Sequence, residues 1–196
     1  NYVNYPSPNG CVNGNCPGYY NFTNGLKSDF LTTGDTTSRT AAINLRTNAA
    51  YARDSTSPTA NPQCALMREN AYALISYLDA ISLGQPVPPR FNQVVTDAFI
   101  HVDKVVAETC EDNAQWNVFM VGLVAEALMQ LYDYNGDVNV PIKLKALADK
   151  LRARYWIAAS NTWVYNHQQA LTPANGALDL NLLIVPFYCF VAEQEN

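Results

Sequence analysis

Cationic side chains are scarce in this chain: Lys and Arg number 12 in 196 residues against 17 Asp and Glu, a formal net charge of −5. A surface so poor in positive charge does not neutralise a phosphate backbone, so nucleic acid is excluded as the expected partner. Histidine is scarcer still, at two residues, and G-x-S-x-G, H-E-x-x-H, C-x-x-C-H and a phosphate-cradling glycine loop are all missing. No metal and no cofactor are therefore expected. No run of about 18 apolar residues is present, so no membrane span is predicted. No charged-then-apolar leader occurs either, and the chain begins at Asn1 without an initiator Met, which reads as a processed or excised chain. Charged residues make up only 15% and hydrophobic ones 48%, a balance that excludes disorder and supports one substantial core.

The five cysteines bear on compartment. Cys11 and Cys16 lie in an Asn- and Gly-rich stretch able to bend into a small disulfide loop, and a lone C-x4-C without a second ligand pair makes a poor zinc site. Cys64 and Cys110 stand nearly equidistant from Leu83-Gly84-Gln85. If that turn joins antiparallel helices, the two cysteines come level. A bridge there would close a loop of roughly 46 residues and stabilise by ~4 kcal/mol on the chain-entropy model. Cys189 is left over, in an apolar segment where a buried free thiol is the ordinary reading. Paired cysteines place the protein outside the cytoplasm, in an extracellular or periplasmic setting.

Three runs of helix-forming residues end at short glycine turns, and Gly34, Gly84 and Gly136 are 50 and 52 residues apart. About 50 residues hold two helices and their connections, so the pattern predicts an all-α helical-hairpin repeat. Residues 1–23, rich in Asn, Gly, Pro and Tyr, read as an extended arm, with Asn21-Phe22-Thr23 a potential glycan acceptor; 24–196 reads as one repeat domain. Two kinds of helix alternate in it. Segments 36–53, 92–110 and 140–158 are amphipathic, whereas 63–83, 114–134 and 178–193 are apolar nearly all round and must be buried on most sides. Two layers follow, apolar helices inside and amphipathic helices outside, as in an arc of an (α/α) toroid. Phe119, Leu123, Leu128, Leu74, Leu78, Leu182 and Ile184 are then predicted inaccessible. Lys143, Lys150, Arg154, Lys104 and Arg46 are predicted wet, and His101 is predicted to lie at the surface or boundary.

Leu31-Thr32-Thr33-Gly34-Asp35, Arg68-Glu69-Asn70-Ala71-Tyr72-Ala73, the segment from Trp116 to Leu128, and Asp179-Leu180-Asn181-Leu182-Leu183-Ile184-Val185-Pro186 resemble helix segments of secreted bacterial six-hairpin (α/α) toroid proteins, the architecture of many glycosidases and polysaccharide lyases. The resemblance implies a carbohydrate-related function. It also implies an incomplete ring, since three hairpins and part of another make about half of one. Self-association, a partner chain or further sequence would then complete it, with contacts expected on 24–53 and 178–196.

Long connections at 54–62 and 159–177 would lie on one rim, where a site is expected. The second is the richer, with Asn161, Trp163, Tyr165, Asn166, His167 and Gln168 followed by Asp179 and Asn181. Aromatic faces stack on a pyranose ring while amides and carboxylates take its hydroxyls. Trp116, Trp163, Tyr165, Asn166, His167 and Asp179 are accordingly the candidate glycan-binding residues, with Trp163 as stacking platform and Asp179 as hydroxyl acceptor or acid/base. The competing reading makes Trp163 and Tyr165 loop anchors and Asp179 a helix cap. No catalytic residue is assigned. His167 with Tyr165 would suit lyase chemistry, and Glu111, Asp112 and Asp179 are the carboxylates on the rim that inverting hydrolysis would use. Arg68, Glu69 and Glu126 on apolar helices must pair or line water. Asp133 to Asn139 carries oxygen side chains at alternate positions but lacks the later calcium ligands, so a glycine terminator followed by a capping Asp explains it more simply. The competing class for the whole chain is a non-enzymatic extracellular scaffold that associates through open hairpin edges and the arm.

Overall fold

The computed structural model describes residues 23–48, 62–111 and 116–195. Residues 1–22 of the arm, with Cys11, Cys16 and Asn21, and likewise Asp112 and most of the 54–62 connection, lie outside the described residues, while Thr23 belongs to the first helix rather than to an extended arm. The described chain is all-α, with helices α1 (Thr23–Thr33), α2 (Thr36–Asn48), α3 (Met67–Ser82), α4 (Phe91–Ala107), α5 (Val118–Asn135), α6 (Asn139–Arg154) and α7 (Val185–Gln194). A two-stranded hairpin, β1 (Trp156–Ile157) and β2 (Thr162–Trp163), follows α6, and a 3₁₀ segment at Leu178–Leu183 leads into α7. No helix among the described residues is long and apolar enough to cross a membrane.

The three glycine turns fall between α1 and α2, α3 and α4, and α5 and α6. Gly34, Gly84 and Gly136 take φ values of 76°, 87° and 69°, left-handed backbone that costs an L side chain about 1 kcal/mol or more. After two of them an aspartate caps the next helix, Asp35 Oδ1 accepting from the Thr37 amide at 2.8 Å and Asp137 Oδ1 from the Asn139 amide at 3.0 Å. Side-chain oxygens of the Asp133–Asn139 turn are thus engaged in helix punctuation.

The described residues group into two compact units. One comprises 23–48 with Glu69–Thr96; the other comprises 62–68 with Asp97 to residue 195. In the first, α1 and α2 pack together, and Arg39 donates to the Leu83 carbonyl at 2.8 Å while Lys27 pairs with the fully buried Asp79. Leu74, Ala71, Tyr77 and Val94 are buried there, and Asn70 donates to the Val94 carbonyl at 3.1 Å, joining the N-terminal part of α3 to α4.

The second unit is built around α5, of which Val118, Met120, Val121, Gly122, Leu123, Val124, Ala125, Ala127, Leu128 and Leu131 are buried. Leu144, Leu147 and Leu151 of α6 and Phe187 of α7 pack in the same core. Gly122 is where the 3₁₀ segment presses on α5: a Cβ there would lie 2.1 Å from the Leu183 carbonyl oxygen, so only glycine fits. A disulfide joins Cys64 to Cys110, 46 residues apart.

Five expectations about burial need correction. Phe119, predicted inaccessible, is only half-buried, on the side of α5 that meets the Tyr165 ring. Leu182, predicted inaccessible, is 77% exposed, because 178–183 forms a 3₁₀ segment that turns Ile184 rather than Leu182 inward. Cys189, predicted a buried thiol, is exposed on α7. Lys104, predicted wet, is largely covered, since its ammonium donates to the Pro62 carbonyl at 2.8 Å and to Glu111 at 2.5 Å. His101, predicted near the surface, is 1% exposed, with Nε2 at 3.1 Å from the Gln63 carbonyl. Burial is the main cause that drops its pKa to about 4, helped by the Lys104 charge and opposed by the Gln63 contact and Glu111.

Candidate functional site

Sequence reasoning pointed to six residues around the connection that follows α6, and the structure separates them into three groups. Trp116, Tyr165, Asn166 and His167 meet at the start of α5. Asn166 pairs with Asn117 in an isolated β-bridge, its amide nitrogen 3.3 Å from Asn117 Oδ1. The Val118 amide donates to the Tyr165 carbonyl at 3.0 Å, so the connection satisfies one of the orphan N–H groups at the head of α5. The His167 ring lies flat on Trp116, with centroids 4.6 Å apart and planes 6° from parallel. His167 Nδ1 is 2.9 Å from the Trp116 carbonyl, an acceptor only, so Nδ1 donates.

Trp163 is placed elsewhere. It is 6% exposed, with Trp156 edge-on at 4.6 Å and Tyr188 at 5.4 Å. This corrects its assignment as an open stacking platform, because neighbouring rings occupy the space a sugar would need. Asn181 is likewise structural: its Oδ1 accepts from Thr162 Oγ1 at 2.9 Å, and its amide donates to the Asn161 carbonyl at 3.2 Å. Asp179 is exposed in the first turn of the 3₁₀ segment, with no hydrogen bond or ion pair to the Trp116–His167 stack.

Tyr165 is the aromatic that stays open. It is 44% exposed, its ring 6.0 Å from that of half-buried Phe119. Around it Asn166, Gln168 and Gln169 form a tight polar turn, in which the Asn166 amide N–H donates to Gln169 Oε1 and the Gln168 N–H to Asn166 Oδ1, both at 2.9 Å. One half-exposed ring on a braced amide-rich turn can stack on an apolar face and exchange hydrogen bonds at its edge.

A cavity of about 210 Å³ adjoins the Trp116–His167 stack, lined by Lys104, Val105, Glu108, Cys110, Glu111, Trp116, Arg154, Tyr155 and His167. Five of these, Lys104, Val105, Glu108, Arg154 and Tyr155, were not among the predicted site residues. Their common sign is that they sit where α4 and α6 end. Glu108 has φ 55° and closes α4 in a Schellman arrangement, Thr109 N–H donating to the Lys104 carbonyl at 2.9 Å and Glu108 N–H to Val105 at 3.3 Å. Glycine is the usual residue there; a glutamate costs about 1 kcal/mol. Its carboxylate accepts from Lys150 at 2.9 Å and lies 3.8 Å from Arg154 Nε. The Lys150 hydrogen bond and charge hold the Glu108 carboxyl below the usual range. For Glu111 burial pushes the other way, but donation from Lys104 and from the Cys64 amide at 3.0 Å outweighs it and leaves the carboxyl depressed. Glu111 is thereby committed to its own scaffold, which argues against a free inverting carboxylate. Among the described residues no three His, Cys, Asp or Glu side chains are grouped to hold a metal ion. Arg68, Glu69 and Glu126 are each engaged with a neighbour.

No protein-family model matches the chain, and neither a curated protein nor a solved structure is found to be similar to it.

Proposed function

We propose that this is an extracytoplasmic helical domain that binds carbohydrate, built as a segment of an (α/α) toroid, with Tyr165 in place of Trp163 as the stacking residue. The observation that carries the reading is the half-exposed Tyr165 ring set on a hydrogen-bonded turn of Asn166, Gln168 and Gln169 beside the Trp116–His167 stack. Sugar recognition needs this pairing of a rigid apolar face with amide donors and acceptors. The Cys64–Cys110 bridge supports an oxidising compartment. Isothermal titration of cello-, xylo- and chito-oligosaccharides tests it. At least one series should bind, and Tyr165→Ala should weaken that binding by about 1–3 kcal/mol, taking aromatic–base stacking as the analogue. Binding by no series, or equal binding by wild type and Tyr165→Ala, removes the reading.

A non-enzymatic assembly module is the second reading, favoured by one feature. Leu178, Leu182 and Val185 are 68%, 77% and 42% exposed, and Cys189 is exposed on the same stretch. A run of apolar side chains in water suits association with another chain or a second copy. Sedimentation that stays monomeric at high concentration would exclude self-association.

A further inference from the structure

The surface around Tyr165 is assembled from two stretches that carry no charged side chain. From Tyr155 to Leu178 the chain has no Asp, Glu, Lys or Arg, and from Asn113 to Ala125 it has none either, although these residues make up 15% of the whole. The fold joins the two stretches. The Val118 amide donates to the Tyr165 carbonyl at 3.0 Å, Asn117 and Asn166 form a β-bridge, and the rings of Phe119 and Tyr165 lie 6.0 Å apart. The first charge along α5 is Glu126, about two turns beyond Phe119 and within 3.5 Å of the Gln130 amide. Charges at the ends of α4 and α6 are committed to one another, Lys104 to Glu111 and Lys150 to Glu108. Amides take the place of charge at Tyr165. Asn166 is spent on Gln168, Gln169 and Asn117. Gln169 accepts through Oε1 and keeps Nε2 to donate, and the exposed Gln168 side chain makes no hydrogen bond among the described residues, so it can both donate and accept.

Taking the carbohydrate reading of this surface as its basis, we infer that the glycan bound at Tyr165 is neutral, built of uncharged hexose or pentose units, and that polyuronates and amino-sugar polycations are rejected there. A sugar hydroxyl donates and accepts, and so does a glutamine amide, so the two pair without charge on either side. The Tyr165 ring supplies the apolar face on which an uncharged pyranose stacks. A uronate carboxylate would give up its water for a surface with no guanidinium or ammonium to receive it, and the bidentate contact that repays such a loss needs an arginine. A protonated amino sugar meets the opposite lack, since neither stretch offers a carboxylate. The discrimination therefore comes from the local surface rather than from the net charge of the chain.

The test titrates the full chain with cello-, xylo- and chito-oligosaccharides and, at equal length, with oligogalacturonate and oligomeric glucosamine, in about 150 mM NaCl so that long-range effects of net charge are screened. Binding at this surface is read as the difference between the wild type and Tyr165→Ala, a change at an exposed ring that should leave the fold intact. At least one neutral series should bind in a Tyr165-dependent way, and both charged series should bind about tenfold more weakly or not at all. A charged series that binds as tightly as the neutral one, and loses that binding in Tyr165→Ala, overturns the neutral assignment while the carbohydrate reading stands. Absence of Tyr165-dependent binding by every series overturns both.

Discussion

Helices α5 and α7 share one composition and meet different fates. Each is an apolar stretch with little charge, yet ten residues of α5 are buried and only Phe187 and Val191 of α7. Both helices contact each other, α6 and the 3₁₀ segment, but α7 turns only Phe187 and Val191 inward and leaves Val185 and Cys189 exposed. Apolarity all round states how much burial a helix could use. How much it obtains depends on what the fold supplies on each face.

The largest effect should come from matched truncations. Leu128→Ala, at a fully buried position, should cost about 4 kcal/mol, from lost transfer energy plus a residual cavity, whereas Leu182→Ala should stay within about 0.5 kcal/mol. Urea denaturation of both variants checks this, and comparable losses would abolish the contrast between the two segments.

His101 extends the comparison to α4, an amphipathic helix whose one histidine lies inside. Its folded pKa of about 4 is below the unfolded value of 6.5, so the unfolded chain takes up the proton first as pH falls. Stability from this group is therefore full above pH 6.5 and is lost on descent toward pH 4, by about 3 kcal/mol in total. Melting His101→Asn alongside the wild type across that window should show a shallower pH slope in the variant. Parallel curves would mean that His101 titrates as a solvated residue.

Gly122→Ala probes the close face of α5. The added methyl meets the Leu183 backbone, so the variant should lose about 2 kcal/mol, and unchanged stability would show that the 3₁₀ segment moves freely off the helix. The smallest effect concerns the side of α7 that is covered. Tyr188 donates to the Ala148 carbonyl at 2.8 Å, and burial pushes its phenol up to about 12. Tyr188→Phe should cost about 1 kcal/mol, and a thermal melt identical to wild type would leave that hydrogen bond without weight.

Glycine punctuation and helix class were legible because both are local. Gly34, Gly84 and Gly136 each stand where a left-handed turn ends a helix, and the apolar stripe of α5 is a periodic signal. The Cys64–Cys110 pairing was legible through its symmetry about one turn. Properties set by distant chain were not. Trp163 has the composition of a sugar platform, but Trp156 and Tyr188 close over it, and no spacing rule signals an aromatic cluster assembled from a hairpin and a helix 25 residues on. Lys104 reads as a solvated lysine until the chain at Pro62 reaches its ammonium. Glu108 reads as an ordinary surface glutamate, since nothing local announces a left-handed residue that is not glycine. The candidates Trp116, Tyr165, Asn166 and His167 come together through contacts between the start of α5 and the connection after α6. Their residue types suggested a shared surface; their order in the chain did not announce the contacts that join Trp116 to the later connection.

Carbohydrate binding at Tyr165 is most directly tested by hydrogen exchange with mass spectrometry, in the presence and absence of the best-binding oligosaccharide. Amide protection should rise in peptides covering 164–169 and the start of α5, and stay unchanged across 178–192. Protection confined to 178–192, or absent from both regions, would contradict the account.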